Sequence, residues 1–135
     1  MKYIFLDFDG VLHRTYDSTL FEYMDDFCHA VRPYSKNTRI VISSMWRQNH
    51  SLDHLKSYFE KDISPIVIGI TPTLPSILPY QRFREIEYYC HKNNVKEWCA
   101  LDDMETLFPP DCEKLIYVEN GLAENNLKDL VKFLQ

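Results

Sequence analysis

Glycine is scarce in this chain: only Gly10, Gly69 and Gly121 occur in 135 residues. No glycine-rich phosphate loop can be built from three scattered glycines, which argues against Walker-type nucleotide hydrolases and dinucleotide-binding folds. The four cysteines, Cys28, Cys90, Cys99 and Cys112, form no C-x-x-C pair. Neither a zinc site nor a disulfide framework is expected, and reduced thiols in a cytoplasm are the default. Positive charge is also short, with 15 Lys+Arg against 20 Asp+Glu and a net charge of -5. That balance speaks against tight, sequence-independent nucleic-acid binding, which needs phosphates to be neutralised. No hydrophobic run is long enough to span a membrane. The N-terminus leads straight into a strand pattern, so no secretory leader is expected.

What remains is an ordinary globular composition, 45% hydrophobic and 26% charged, in a length that suits one domain over residues 1–135. Five apolar runs read as strands: Tyr3–Phe8, Arg39–Ser43, Pro65–Ile68, Trp98–Leu101 and Leu115–Val118. Near-continuous apolar runs such as "RIVIS" and "LIYV" suit strands buried on both faces of a parallel sheet. Between them lie helical patterns. Met24, Phe27, Cys28 and Val31 recur at i, i+3, i+4 and i+7, and Leu127, Leu130, Val131 and Leu134 repeat that spacing. Leu52, Leu55 and Phe59 predict a further helix, as does "RFREIEYYCHKNN". The expected fold is α/β: a Rossmann-like three-layer sandwich with a five-stranded, mainly parallel sheet and helices on both faces. The proline-rich segment "GITPTLPSILPYQ" is expected to be a loop bordering the active face.

In such a sheet, ligands bind at the carboxyl ends of the strands. The first strand ends in Asp7-Phe8-Asp9, the second in Ser43-Ser44, and the fourth in Asp102-Asp103. Four carboxylates and two hydroxyls at one edge would repel one another unless a hard cation such as Mg²⁺ sat among them. Two residues apart on an extended chain, Asp7 and Asp9 share a side. One can bind the metal and attack as a nucleophile, while the other gives and takes a proton. Attack on phosphorus fits, given a hydroxyl and a cation for the remaining phosphoryl oxygens. A two-component receiver domain also clusters acids at strand ends, but it carries its phosphorylated Asp after the third strand, and here "PIVIG" ends without an acid.

"FLDFDGVL" is similar to the first motif of the haloacid dehalogenase (HAD) superfamily of phosphohydrolases. "IVISS" resembles its second motif and "LDD" its fourth, in the same order along nearly the whole chain. "SSMWR", "RFREI", "LDDM" and "YVENGLAENNLKDL" resemble a narrower branch, the small HAD domains found alone or in multi-domain RNA-repair proteins. The resemblance implies Asp7 as nucleophile, Asp9 as general acid/base and Ser43 as a phosphate-oxygen ligand, with Ser44 a rival hydroxyl. It also implies that Asp102, with Asp103 beside it, holds Mg²⁺ together with Asp7 and the backbone carbonyl of Asp9. The family's phosphate-neutralising cation matches Arg82 in "R-x-x-E-I". Arg84 is the poorer match, and on a helix the two point about 200° apart. An acid at the second position favours phosphatase over dehalogenase.

Only residues 10–42 separate Asp9 from Ser43, and 44–81 separate Ser43 from Arg82. Helix, strand and loop fill both intervals, so no full cap domain is expected. An uncapped site suits a phosphate on a large partner, such as a nucleotide or nucleic-acid end, or calls for a second copy of the chain to cover it. A small phosphorylated metabolite is the rival substrate, and a metal- and phosphate-binding regulatory module without turnover is the rival function. "HRTYDST" is the expected flap, with His13 beside the site and Arg47 as a substrate-side cation. Trp46 reads as packing, and the i, i+4 pair His50 and His54, lacking a third ligand, reads as a solvated face.

Overall fold

The computed structural model describes residues 1–16 and 19–135. Its five strands are β1 (Lys2–Leu6), β2 (Thr38–Ile42), β3 (Val67–Ile70), β4 (Glu97–Asp102) and β5 (Leu115–Tyr117). All pair in parallel, in the spatial order β3-β2-β1-β4-β5. The chain therefore winds outward from β1 through β2 to β3, then returns to place β4 on the other side of β1. That reversal makes the carboxyl ends of β1 and β4 the switch point where ligands of such sheets bind.

Alternation along the strands divides the core into two layers. Ile4, Leu6, Ile40, Ile42, Cys99 and Leu101 face one side. There they meet α1 (Met24–Val31), α4 (Glu124–Leu134) and the short α2 (Leu52–Lys56). Phe5, Val41 and Ala100 face the other side, against Ile86 and Cys90 of α3 (Gln81–Asn93). The fold is thus the expected small Rossmann-like α/β sandwich, with helices on both faces. All four apolar positions predicted for α1 are buried. In α4, Leu130 and Leu134 are buried while Asn126 bridges outward, its side chain accepting from Ala123 N–H (2.9 Å) and donating to the Tyr117 carbonyl (2.9 Å). That bridge ties the start of the helix to the end of β5.

The strand predictions miss in three instructive places. β1 stops at Leu6, because the Asp7 carboxylate accepts the Phe8 N–H (2.9 Å) and the chain turns, with Val11 and Leu12 donating back to the Phe8 carbonyl. Pro65 starts a 3-10 turn over Ser64–Ile66, which delays β3 to Val67. Finally, β5 is a half-exposed edge strand rather than one buried on both faces. Ile116 packs on the α4 side and Leu115 on the opposite face, each only partly buried, while Tyr117 is exposed. The four cysteines are unpaired, and no helix among the described residues is long and apolar enough to cross a membrane.

Arg47 corrects a functional expectation. It does not face a substrate: its side chain is 2% exposed and bound to Glu85 (2.9 Å), which is equally buried. It also donates to the carbonyls of Ser44 (2.8 Å), Thr71 (2.9 Å) and Pro72 (3.2 Å). Glu85 in turn accepts the Leu74 N–H (2.9 Å). One guanidinium thereby clamps the exits of β2 and β3, the proline-rich loop and α3 to one another. Arg84 closes the same loop from outside, donating to the carbonyls of Pro75, Leu78 and Pro79. Removing one partner of a buried ion pair leaves the other uncompensated, at a cost of about 3–5 kcal/mol. Arg47→Ala should lose stability of that order in urea unfolding, and a loss under about 1 kcal/mol would show that no such clamp exists.

Candidate active site

The pairing register builds the site. Leu6 is level with Ile42 on one side and Leu101 on the other. One residue further along lie Asp7, Ser43 and Asp102, linked through Asp7 N–H to the Leu101 carbonyl (3.1 Å) and Ser43 N–H to the Leu6 carbonyl (2.8 Å). Alternation assigns this row to the face of Phe5, Val41 and Ala100, the face covered by α3. Arg82, in the first turn of α3, reaches the row. Its Nη1 donates to Asp102 Oδ2 (2.6 Å) and lies 3.6 Å from Asp7 Oδ2. All three side chains are buried. Of the two arginines, Arg82 reaches this row, and Arg84 is engaged with the carbonyls of the proline-rich loop.

Two buried carboxylates share one buried cation, and the charge does not balance. Burial first, then the neighbouring Asp102, pushes the Asp7 carboxyl well above the ordinary carboxylate range, with Arg82 only partly opposing. Burial likewise pushes Asp102 up to about 6, against the pull of Arg82 and the Met104 N–H. Asp103 joins them: Asp7, Asp102 and Asp103 each offer an oxygen within 4.8 Å of the others. An all-oxygen donor set on a buried, over-negative row fits a hard divalent cation such as Mg²⁺.

Gly10 makes room for this cluster. Its φ is +78°, and a Cβ there would stand 2.2 Å from Asp103 Oδ2. Gly10 N–H also donates to the His13 carbonyl (2.8 Å), and its own carbonyl accepts from Gly121 N–H (2.7 Å). The Asp-Gly step therefore brings the backbone against Asp103 while anchoring the loop before α4.

The two serines separate as well. Ser44 Oγ accepts the Trp46 N–H (3.3 Å) and caps the 3-10 turn Met45–Gln48. Ser43 Oγ is buried with no hydrogen-bond partner among the described residues. A buried hydroxyl left unsatisfied costs on the order of 1–3 kcal/mol unless a ligand completes it. Sitting in the row with Asp7, it is the natural contact for an incoming oxygen.

Asp9 stands apart from this row. Its carboxylate is half-exposed and is not one of the three whose oxygens gather. Oδ1 accepts from His13 Nε2 (2.8 Å) and Oδ2 from Trp46 Nε1 (3.1 Å). The strand ends at Leu6, so the alternation that pairs Asp7 with Asp9 in an extended chain does not run on through Asp9. His13, expected beside a substrate, is instead a buried residue behind Asp9, and its other nitrogen accepts the Phe21 N–H (3.2 Å). Trp46 was read from sequence as packing; it packs on Phe8 and Phe21 and also supplies a hydrogen bond. Nothing in its spacing announced that second role. His50 and His54 stack behind it in sequence, with ring centroids 5.5 and 5.2 Å apart along the column. The expected flap runs through residues 17 and 18, which lie outside the described residues.

The raised carboxyls carry a pH signature. A group that binds its proton more tightly when folded stabilises the fold at low pH, and that contribution is lost as pH rises through the folded value. For Asp102 the swing is about 3 kcal/mol between roughly pH 4 and pH 7. In chelator the melting temperature should therefore fall as pH rises over this range, and Mg²⁺ should restore it most at the upper end. Gly10→Ala should weaken that Mg²⁺ effect by about 10-fold or more by displacing Asp103. A melting temperature indifferent to both pH and Mg²⁺ would contradict the charge assignment.

Neither the curated proteins nor the solved structures yield a match to this chain. A family model does match, over residues 3–127, from β1 into α4 and across every residue of the acidic row. That model describes the HAD domain in Swiss Army Knife RNA repair proteins, and the chain belongs to that family.

Proposed function

We propose that residues 1–135 act as one capless, Mg²⁺-dependent phosphohydrolase domain. The observation that carries this reading is the unsatisfied Ser43 hydroxyl, set in a buried row with two carboxylates and a guanidinium. The hydroxyl and the guanidinium offer donors to an anion's oxygens once a cation offsets the carboxylates, and membership of a phosphatase-type superfamily supports a phosphoryl group.

In the proposed reaction an Asp7 oxygen forms a bond to phosphorus while the ester P–O bond breaks, and Asp9 gives its proton to the departing oxygen. The product is an aspartyl-phosphate on Asp7. Asp9, now a carboxylate, takes a proton from water as that water bonds to phosphorus and the Asp7–phosphorus bond breaks. Free phosphate leaves and both acids return to their starting states. Ser43 donates to a phosphoryl oxygen. Arg82 offers further N–H groups, since a guanidinium has five and its Asp102 bond uses one. Asp7, Asp102 and Asp103, with the Asp9 carbonyl, would hold Mg²⁺, which when bound supplies charge compensation and polarises the phosphoryl oxygens.

The substrate we favour carries its phosphate on a nucleotide or a nucleic-acid end, as the family's setting in RNA repair suggests. A second reading, a small phosphorylated metabolite, is favoured by the distribution of lysine. Lys2, Lys36, Lys61, Lys96 and Lys114 lie at or shortly before the starts of the five strands, at the edge opposite the site. Lys56, Lys92, Lys128 and Lys132 ride on helices heading back toward that edge. Around the site itself Met45, Met104, Ile77 and Leu78 are exposed instead. A protein so arranged grips the terminal group and little of a polyanion behind it. A second copy covering the open edge, and a cytoplasmic location, complete the proposal.

Asp7→Asn should abolish Mg²⁺-dependent phosphate release from a nitrophenyl ester, by at least about 10³-fold. Undiminished release would remove Asp7 from the mechanism. Metal binding without release from any phosphate ester would favour the non-catalytic module. Between about 50 and 200 mM salt, KM for an oligonucleotide 3′-phosphate should rise by less than about threefold, since few phosphates are neutralised. A rise of 100-fold or more would show an extended nucleic-acid track.

A further inference from the structure

Asp9 is a half-exposed acid on a turn, and such a side chain is ordinarily free to rotate. Here both of its oxygens are held. His13 Nε2 lies 2.8 Å from Oδ1 and Trp46 Nε1 lies 3.1 Å from Oδ2. The His13 proton can be located by elimination. Phe21 N–H donates to Nδ1 (3.2 Å), so Nδ1 is the acceptor, and Nε2 carries the hydrogen that it donates to Asp9. Neither ring nitrogen is left for a substrate. The two donors are themselves immobilised. His13 is buried, with Phe21 at 5.2 Å and Trp46 at 5.9 Å between ring centroids. Trp46 is wedged against Phe8, Phe21 and Tyr58 and backed by the stacked rings of His50 and His54.

An aromatic cluster that ends in two converging N–H groups is more than packing needs. Hydrophobic burial alone would be served by Phe at either position, without buried polar nitrogens to satisfy. We propose that His13 and Trp46 are positioning residues whose N–H groups, one on each oxygen, aim the Asp9 carboxyl at the leaving oxygen of the phosphate ester. The inference rests on the proposed function and adds to it the parts that orient the acid/base. The His-tautomer lock at Phe21 belongs to the device: it presents the ring as a neutral donor rather than an acceptor.

The consequence is selective by leaving group. A nitrophenolate departs without a proton, whereas an alkoxide such as a ribose oxygen needs one. Misaiming Asp9 therefore slows formation of the aspartyl-phosphate from alkyl esters and spares that step for activated ones, while hydrolysis of the intermediate slows for both. The test compares wild type, Trp46→Phe, His13→Phe and His13→Gln on nitrophenyl phosphate and on a nucleoside 3′-monophosphate. Trp46→Phe keeps the ring and loses the N–H; His13→Gln retains an amide N–H at a buried position. On the nucleotide, kcat should fall about 10–100-fold in Trp46→Phe and His13→Phe, with KM unchanged and partial recovery in His13→Gln. On the nitrophenyl ester the rate of the pre-steady-state burst of nitrophenolate, which reports formation of the aspartyl-phosphate alone, should stay within about threefold. A burst slowed as much as nucleotide turnover, or no loss on the nucleotide, would overturn the inference.

A second readout needs neither turnover nor metal. In wild-type protein, ¹⁵N correlation spectra should show His13 as the Nε2–H tautomer, and Asp9→Ala should shift both that signal and the Trp46 indole N–H. The opposite tautomer, or indifference of both signals to Asp9→Ala, would also overturn it, even if the histidine variants do not fold. Asp7→Asn serves as the separate control. If that variant still hydrolyses nitrophenyl phosphate at the wild-type rate, the proposed function fails and this inference fails with it. If only the leaving-group pattern is absent, the inference alone fails.

Discussion

A single guanidinium, that of Arg82, stands against two buried carboxylates, Asp7 and Asp102. Much of the domain's upper edge can be understood from that imbalance. The row exists because β1 and β4 are neighbours at the reversal of strand order, so their terminal acids lie level in the sheet. Burial makes each charge costly, and Arg82 offsets only part of it. A third acid, Asp103, tips the balance further toward a cation. The left-handed turn at Gly10 lets the backbone pass that acid without a clash.

Around this row the fold spends its other buried polar groups on holding loops still. Arg47 and Glu85 tie together four segments that leave the sheet on the site's side. Arg84 fastens the proline-rich loop from its outer surface. With those arginines engaged, with Arg14 beside the site paired to Glu22, and with every lysine set toward the opposite edge or on helices leading to it, the site's surroundings offer exposed apolar side chains and few cations. Under the proposed function, such a rim suits recognition of a terminal phosphate rather than of a long polyanion. The family's association with RNA repair and this charge pattern are compatible if only the end of the chain is gripped.

The sequence made the sheet legible because parallel strands are nearly continuous apolar runs and three of them end in acids or hydroxyls. Strand ends put Asp7, Ser43, Asp102 and Asp103 at one edge, and the resemblance to the family's R-x-x-E-I pattern pointed to Arg82. What escaped was orientation beyond a strand's last residue. Asp9 lies outside the gathered carboxylates, past a strand that ends at Leu6 where the Asp7 side chain takes the Phe8 N–H. Arg47 looked like a free cation because its acid partner, Glu85, lies 38 residues away, beyond a strand and a loop. His13 looked like a substrate contact because sequence shows proximity to the motif but not which way a ring faces. Trp46's hydrogen bond to Asp9 spans 37 residues and has no periodic signature at all. Long-range polar pairings, unlike apolar periodicity, leave little trace in a single chain.

In the proposed reaction phosphorus passes through Asp7. An aspartyl-phosphate is an acyl phosphate, so borohydride reduces it to homoserine while leaving free carboxylates untouched. Protein quenched during turnover with Mg²⁺, reduced and mapped by mass spectrometry should carry homoserine at position 7 and aspartate at positions 9, 102 and 103. Homoserine at another of these positions, or turnover with no reducible residue under conditions that trap an acyl phosphate, would contradict the account.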